Sequence, residues 1–307
     1  MGKDILFGMC ADLHNAADYD TSDRIVKFVN EANERGADFI IELGDFISSD
    51  ESGVRLMEKW NRFNGPSYHV LGNHDTEHNG KEATMKITGQ KEKYYSFDCG
   101  DYHFIVLDTN YMKYGDEFID YGLDNYHKDF FNCYIPKEQI EWFREDIAKT
   151  DKRCFVFSHA PIVLGDWKVY NVHDFTDAVY LENQKCGYNK VTMVFSGHDH
   201  ADAHMMMGGV HYMLVNSISH KYVSPNYGKA RNVEEAERIN GKKFSPVIRY
   251  KDPLYAFVRL KENGLIQIIG KQTEYLDISP FELHWERFAS PQIGYKELWM
   301  NGIGELK

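Results

Sequence analysis

Ile5-Leu6-Phe7-Gly8-Met9-Cys10-Ala11-Asp12-Leu13-His14 is an unbroken apolar run that stops at two side chains able to bind a cation. Such a run, with no polar alternation, is the pattern of a strand covered on both faces, as in a parallel sheet. Downstream, Asp20-Thr21-Ser22-Asp23 is a cluster of helix-capping residues. Ile25, Val29 and Ala32 then recur at helical spacing with Phe28 beside them, and Gly36 supplies a C-cap. Phe39-Ile40-Ile41-Glu42-Leu43 is a second strand, residues 54–63 a second helix, and Tyr68-His69-Val70-Leu71, after Pro66, a third strand. The βαβαβ order predicts an α/β domain with parallel strands and right-handed crossovers.

The middle of the chain is richer in strands. Lys93 to Asp98 and Tyr102 to Asp108 flank Cys99-Gly100-Asp101 as a hairpin. Pro136 stands where the first residue of a helix belongs, and that helix runs to about Lys149. Cys154 to Phe157 and Val191 to Phe195 read as strands, and Met205 to Val215 as two more joined at Gly208-Gly209. Residues 217–250 read as a polar loop or flap. Tyr255 to Leu260 and Leu265 to Gly270 form a hairpin across Asn263-Gly264. The reading divides the chain into a domain over 1–278 and a tail over 279–307 packed on that domain or on a partner.

Composition narrows the function classes. The 307 residues carry 35 Lys plus Arg against 47 Asp plus Glu, a net charge of −12. That balance argues against broad nucleic-acid binding, which draws its affinity from Lys and Arg on phosphates, and against docking on an anionic membrane. No apolar run of about 18 residues suggests a transmembrane helix. Cys10, Cys99, Cys133, Cys154 and Cys186 are odd in number and unclustered. They form neither a disulfide framework nor a thiolate zinc site, so each reads as a small core residue in a reducing, cytoplasmic setting. A secretion signal trimmed from the chain would be compatible with the same pattern, and a homo-oligomer is left open.

Five polar blocks each follow an apolar run: Asp12-Leu13-His14, Gly44-Asp45, Gly72-Asn73-His74-Asp75, Ser158-His159-Ala160-Pro161 and Gly197-His198-Asp199-His200. Alone, Gly-Asp after a strand is ordinary turn chemistry, and Asn and Asp often bond their own loop. Together and in this order they mean more, because loops at the carboxyl ends of strands in an open α/β sheet converge on one crevice. Oxygen and imidazole donors without thiolates suit two divalent transition ions, Mn, Fe, or Zn, Co or Ni. Seven donors exceed what one tetrahedral ion takes and fit two ions sharing a carboxylate. Two such ions outweigh Asp12, Asp45 and a bridging hydroxide by about one unit of charge. A positive site in an acidic protein then favours a small phosphorylated substrate.

These blocks resemble the signature of the calcineurin-like metallophosphoesterase superfamily, over Asp12 to His200. The resemblance implies a four-layer αββα sandwich, α/β or by some schemes α+β, with two mixed sheets and a dinuclear site at strand carboxyl ends. It implies one metal on Asp12, His14, Asp45 and His200, and the other on Asp45, Asn73, His159 and His198. It further implies that His74 protonates the leaving oxygen and that Asp75 orients His74. The implied activity is hydrolysis of a small phosphodiester, cyclic-nucleotide or glycerophosphodiester-like, by a bridging hydroxide. A phosphomonoesterase and a non-catalytic metal-binding scaffold are the alternatives. Purple acid phosphatases carry a tyrosine ligand shortly after Gly-Asp, where this chain has Phe46-Ile47-Ser48-Ser49. Manganese-dependent ADP-ribose/CDP-alcohol diphosphatases often have Gln where His14 stands. Both departures steer the reading toward the phosphodiesterase branch.

Two further stretches are candidates for substrate choice. Residues 111–134 hold Tyr111, Tyr114, Phe118, Tyr121, Tyr126, Phe130, Phe131 and Tyr134, with His127 among them. These rings either stack on a base or pack the insertion down. Residues 217–250 hold His220, Lys221, Tyr222, Lys229, Arg231, Lys242, Lys243 and Arg249, of which some are candidates to meet phosphate and most are expected to be solvated. His204 and His211 read as core or surface residues.

Overall fold

The computed structural model describes residues 3–15, 20–122, 133–222, 247–276, 279 and 290–301. In chain order its elements are β1 Ile5–Cys10, α1 Thr21–Arg35, β2 Phe39–Glu42, α2 Glu51–Trp60, β3 Ser67–His69, α3 Asn73–Thr76, α4 Gly80–Thr88, β4 Tyr95–Cys99, β5 Tyr102–Leu107, β6 Tyr111–Tyr114 and β7 Glu117–Asp120. They continue as α5 Lys137–Lys149, β8 Arg153–Ser158, α6 Val172–Cys186, β9 Val191–Ser196, β10 Ala203–Met207, β11 Val210–Leu214, β12 His220–Tyr222, β13 Val247–Arg249, β14 Ala256–Leu260, β15 Leu265–Gly270 and β16 Lys296–Trp299. Two six-stranded sheets run β16-β15-β14-β1-β2-β3 and β10-β11-β9-β8-β5-β4. In the first, β1, β2 and β3 are parallel; in the second, β5, β8, β9 and β11 are. The other pairings are antiparallel, so both sheets are mixed.

The continuous apolar runs are explained by burial on both faces. Successive strand side chains point to opposite sides. Phe7 and Met9 of β1, Phe39 and Ile41 of β2, and Phe104, Phe157 and Phe195 of the second sheet meet in the layer between the sheets. Phe7 stacks on Phe39 at 4.7 Å and meets Phe104, Phe157 and Phe195 edge-on at 5.8, 5.9 and 6.1 Å. Each such ring contributes on the order of 2–3 kcal/mol by leaving water. The alternate residues Leu6, Cys10 and Ile40 pack with Ile25, Phe28 and Val29 of α1 and Leu56 and Trp60 of α2. On the far side, Ile105, Val156 and Val194 pack with Phe143 of α5 and Phe175 of α6. The result is helix, sheet, sheet, helix, as the resemblance implied.

Local details depart from the sequence reading. Asp20 occupies the N-cap of α1, but its carboxylate accepts from Arg24 Nε at 2.7 Å instead of capping the helix. Gly36 is the C-cap at φ 63°, as expected. Pro136 is the N-cap of α5, one position earlier than expected: at ψ 153° it is still extended, and its carbonyl accepts from Gln139 and Ile140. Helices α4 and α6 were not anticipated. In α6 the exposed Tyr180 and Leu181 interrupt the apolar period set by Phe175, Ala178 and Val179. Residues 217–250 are not a solvated flap at their near end. Asn216 to His220 are fully buried, and β12 pairs with β13 as a two-stranded ribbon. Lys229, Arg231, Lys242 and Lys243 lie outside the described residues, as do Tyr126, His127, Phe130 and Phe131. β16 adds the tail residues 296–299 to the edge of the first sheet beside β15.

The described part of the aromatic insertion is a hairpin, β6–β7, and it is tied down. Lys81 Nζ donates to Asp108 at 2.6 Å and Asp120 at 2.8 Å, and lies 3.6 Å from the Tyr111 ring centre. His204 and His211 bond each other at 3.0 Å, and His211 reaches the Trp299 carbonyl, away from the motif blocks. All five cysteines are free, with Cys10 and Cys154 buried and the other three half-buried. Among the described residues no helix is long and apolar enough to cross a membrane.

His103 supplies a pH-dependent brace at the sheet edge. Its Nδ1 bonds Asp98 at 2.6 Å and its Nε2 bonds Asp146 at 2.8 Å. Burial alone would lower this histidine, but the hydrogen bonds to Asp146 and Asp98 outweigh it and raise it. A raised folded pKa gives stability that is complete below the unfolded value of about 6.5 and lost as pH rises through the folded value. His103→Gln is therefore expected to cost on the order of 1 kcal/mol at pH 6, shrinking toward zero on the alkaline side. Urea unfolding of both proteins across that range measures it; a pH-independent difference would contradict the assignment.

Candidate metal centre

The parallel strands deliver the polar blocks to one place. Asp12 and His14 follow β1, Asp45 follows β2, Asn73 and His74 begin α3 just after β3, His159 follows β8, and His198 and His200 follow β9. Backbone bonds lock the loops together: Asp12 N–H to Gly44 O at 3.0 Å, His14 N–H to Asp45 O at 2.8 Å and Gly197 N–H to His159 O at 3.1 Å. Glycine precedes three of these residues for a steric reason. Gly44 lies at φ 92°, and a Cβ there would meet the His159 ring. A Cβ on Gly72 would run into the Asp45 amide and carboxylate.

Among the described residues, the non-glycine positions with positive φ are Asp12, His14, Asp45, His198 and His200. Each left-handed residue costs about 1 kcal/mol or more. Such strain persists where the surroundings over-determine it, and here it falls wholly on candidate donors.

The donors form two overlapping sets. In the first, His14 Nε2 lies 3.1 Å from His200 Nε2 and 3.7 Å from Asp45 Oδ2, and His200 Nε2 lies 3.6 Å from Asp12 Oδ1. In the second, His159 Nε2 lies 3.2 Å from Asp45 Oδ2, 3.0 Å from Asn73 Oδ1 and 3.0 Å from His198 Nδ1. Asp45 Oδ2 belongs to both. Ligands at about 2.0–2.2 Å from one ion stand roughly 3.0–3.5 Å apart. The second set falls within that range, and in the first the two histidine–carboxylate spacings of 3.6 and 3.7 Å lie just above it.

Ring orientation is settled from behind. His159 Nδ1 donates to the Leu43 carbonyl at 2.8 Å, and His200 Nδ1 donates to the His220 carbonyl at 2.8 Å. His200 Nε2 is thereby left as a bare lone pair facing the other donors, whereas His159 Nε2, turned to Asp45 Oδ2, gives up a proton on taking an ion. Burial also holds His14, His198 and His200 well below the usual histidine range, His198 at about 3. Neutral His14, His198 and His200 are in the state that metal ions require, while Asp12, raised by burial well above the usual carboxylate range, and His159 release protons when ions bind. The residues present therefore fit two divalent ions.

Asp45 stays ionised. Burial would raise it, but His159 and His74 beside it, with the His159 hydrogen bond, hold it well below the usual carboxylate range. Its partner His159 is lowered by burial and raised more strongly by Asp45, to about 10. Beneath the site, burial raises Glu42 to about 8, while its carboxyl accepts the Gly44 N–H at 2.6 Å and faces His69 at 3.1 Å.

Asp75 does not orient His74. Its oxygens accept main-chain N–H groups of Asp45, Phe46, Ile47 and Gly72 at 2.7–2.9 Å, which pins the loop that carries Asp45. The carboxylate bonded to the His74 ring is that of Glu77, with Oε2 2.8 Å from Nδ1. Burial would lower His74, but Asp45 and Glu77 raise it. A capped helical turn favours the i,i+3 pair, a signal present in His74-Asp75-Thr76-Glu77 and passed over. His220 and Tyr222, named as substrate-choice candidates in a mostly solvated stretch, lie instead against the site, with rings 5.1 and 5.3 Å from that of His14. Burial and Arg24 lower His220 to about 3.

Comparison with known proteins agrees with this geometry. Residues 5–202 match the model of the calcineurin-like phosphoesterase family. A manganese-dependent ADP-ribose/CDP-alcohol diphosphatase of Oryza sativa subsp. japonica is 25% identical over 221 residues, covering 58% of this chain and 68% of that protein. A protein of the same name in Arabidopsis thaliana is 25% identical over 216 residues, 57% of this chain and 68% of its own length. Among solved structures, a dimetal phosphatase from Danio rerio superposes with a TM-score of 0.60 at 15% identity, over 90% of this chain and 99% of that one. GAP50, the anchor in the inner membrane complex of Plasmodium, superposes with a TM-score of 0.55 at 16% identity, over 90% and 89%. Both structural likenesses concern the fold.

Proposed function

Because the chain belongs to the calcineurin-like phosphoesterase family, a hydrolase acting on phosphoric ester bonds with two divalent metals, we propose that it cleaves a small nucleotide diester of the pyrophosphate-linked kind, such as ADP-ribose or a CDP-alcohol. In that reading Asp12, His14, Asp45 and His200 hold one ion, and Asp45, Asn73, His159 and His198 the other. The observation that carries it is the position of Asp45 Oδ2 between His14 and His159, a carboxylate oxygen shared by two donor sets. When bound, two such ions acidify a water and offset phosphoryl charge.

The chain's own residues do the rest. Asp12 and Asp45 bring two negative charges and Asn73 none, so the centre stays electropositive toward a phosphate. Glu77 accepts from His74 Nδ1, which leaves His74 Nε2–H to protonate the departing oxygen. His74 is partly exposed, with 29% of its side chain open to solvent, so a substrate can reach it.

The substrate class draws support from the names of the rice and Arabidopsis relatives. His14 had pointed away from those diphosphatases. Imidazole and amide are both neutral donors, so this difference leaves the charge of the site unchanged. In a pyrophosphate-linked nucleotide the attacked phosphorus also carries two bridging oxygens, which keeps the reaction within diester chemistry. The test compares turnover of ADP-ribose, bis(p-nitrophenyl) phosphate and p-nitrophenyl phosphate with added manganese. The diesters are expected to lead. A roughly tenfold preference for the monoester would favour a phosphomonoesterase, and no turnover with manganese, iron or zinc would favour a scaffold.

A further inference from the structure

His220 lies outside the five motif blocks, yet its ring is fully buried against the first donor set. Its centroid is 5.1 Å from that of His14 and 4.9 Å from that of His200. One ring nitrogen of each of His14, His200 and His220 falls within 4.8 Å of the others. Both His220 ring nitrogens, Nδ1 and Nε2, are buried without a hydrogen-bond partner among the described residues. Buried polar atoms are nearly always satisfied, and an orphaned pair on one residue calls for a ligand.

The position of this ring is built in. Ile218 N–H bonds Ala11 O at 2.9 Å, Ser217 Oγ donates to Asp12 O at 2.7 Å and Ser219 Oγ donates to Leu13 O at 2.8 Å. The His220 N–H donates to Ser217 Oγ at 3.1 Å, and the His220 carbonyl accepts from His200 Nδ1. Segment 216–220 is thus stitched to the loop that carries Asp12 and His14. Arg24 does not satisfy the ring: its guanidinium donates to the carbonyls of Ile218 and Tyr250 and to Asp20.

We propose that His220 is a further nitrogen donor to the ion held by Asp12, His14, Asp45 and His200. This rests on the dinuclear reading above and extends it. That half then offers three imidazoles and two carboxylates, while the other offers two imidazoles, one amide oxygen and the shared carboxylate. Imidazole favours zinc, iron, cobalt and nickel, whereas oxygen donors favour magnesium and manganese. The two halves therefore select different ions, the His220 half holding a borderline transition metal against excess magnesium.

The experiment titrates metal-free protein with Co²⁺, read by calorimetry, visible absorption and the far-downfield imidazole N–H proton resonances of the cobalt-loaded form. Wild type is expected to bind two equivalents. His220→Phe keeps the ring shape without a donor. It should weaken one equivalent by about 100-fold, alter the absorption of that half and remove one shifted N–H resonance. In His220→Ala, free imidazole should restore the wild-type spectrum. Wild-type affinity and spectra in His220→Phe would overturn the proposal while leaving the dinuclear reading intact. Fewer than two equivalents in wild type would overturn both. Loss of fold in both metal-free variants, read by circular dichroism, also counts against it, because a metal ligand is dispensable to the fold without its metal.

Discussion

Asp45→Asn should reduce turnover of every substrate by about 10³–10⁵-fold, equivalent to roughly 4–7 kcal/mol of transition-state stabilisation. The substitution keeps the side-chain length and the Oδ1 that accepts the His74 N–H at 2.7 Å. It removes the negative charge between His14 and His159 on which both donor sets depend. Metal content should fall below two equivalents, measured by elemental analysis of protein dialysed against limiting manganese. Thermal unfolding of the metal-free variant separates this effect from misfolding. A variant that retained two equivalents and near-normal activity would remove Asp45 from its shared role.

The second large effect belongs to His74. His74→Gln should lower kcat by about 10²–10⁴-fold for a nucleotide leaving group while keeping two equivalents of metal. The same variant should lose less than about tenfold on bis(p-nitrophenyl) phosphate, because p-nitrophenolate departs without a proton. Steady-state kinetics on the two substrates reads the contrast directly. Equal losses on both would assign His74 to positioning and not to proton transfer. Glu77→Gln should reproduce a weaker version, about tenfold, since its carboxylate only orients Nδ1 and favours the protonated ring.

The Glu77 contact shows where local reading stops. Asp75 is adjacent to His74 in sequence, and the resemblance gave it the orienting role. In the short helix α3, neighbours i and i+1 point apart, whereas i and i+3 share a face. The ring therefore meets Glu77, and Asp75 turns inward to four main-chain N–H groups. The polar character of 216–220 misled for a related reason. Asn216, Ser217 and Ser219 look like solvated loop residues, but Ser217 and Ser219 satisfy carbonyls of the β1 loop more than two hundred residues earlier in the chain, and Asn216 donates to the carbonyls of Ser290 and Gln292. Composition cannot distinguish a serine bonded to water from one bonded to a buried carbonyl. Pro136 shifted by one place because its fixed φ suits both the N-cap and the first helical residue, and ψ alone decides between them.

From sequence alone came the parallel strand–helix order, the two-sided burial of the apolar runs and seven donors at strand ends, because each is written in local periodicity and in residues flanking it. The tertiary structure decided which donors face one another, that Asp45 Oδ2 lies between two sets, and that strain at positive φ gathers on Asp12, His14, Asp45, His198 and His200. It also brought His220 against His14 and His200. Those relations depend on how two sheets pack and how distant loops bond across the gap, and no window of neighbouring residues encodes them.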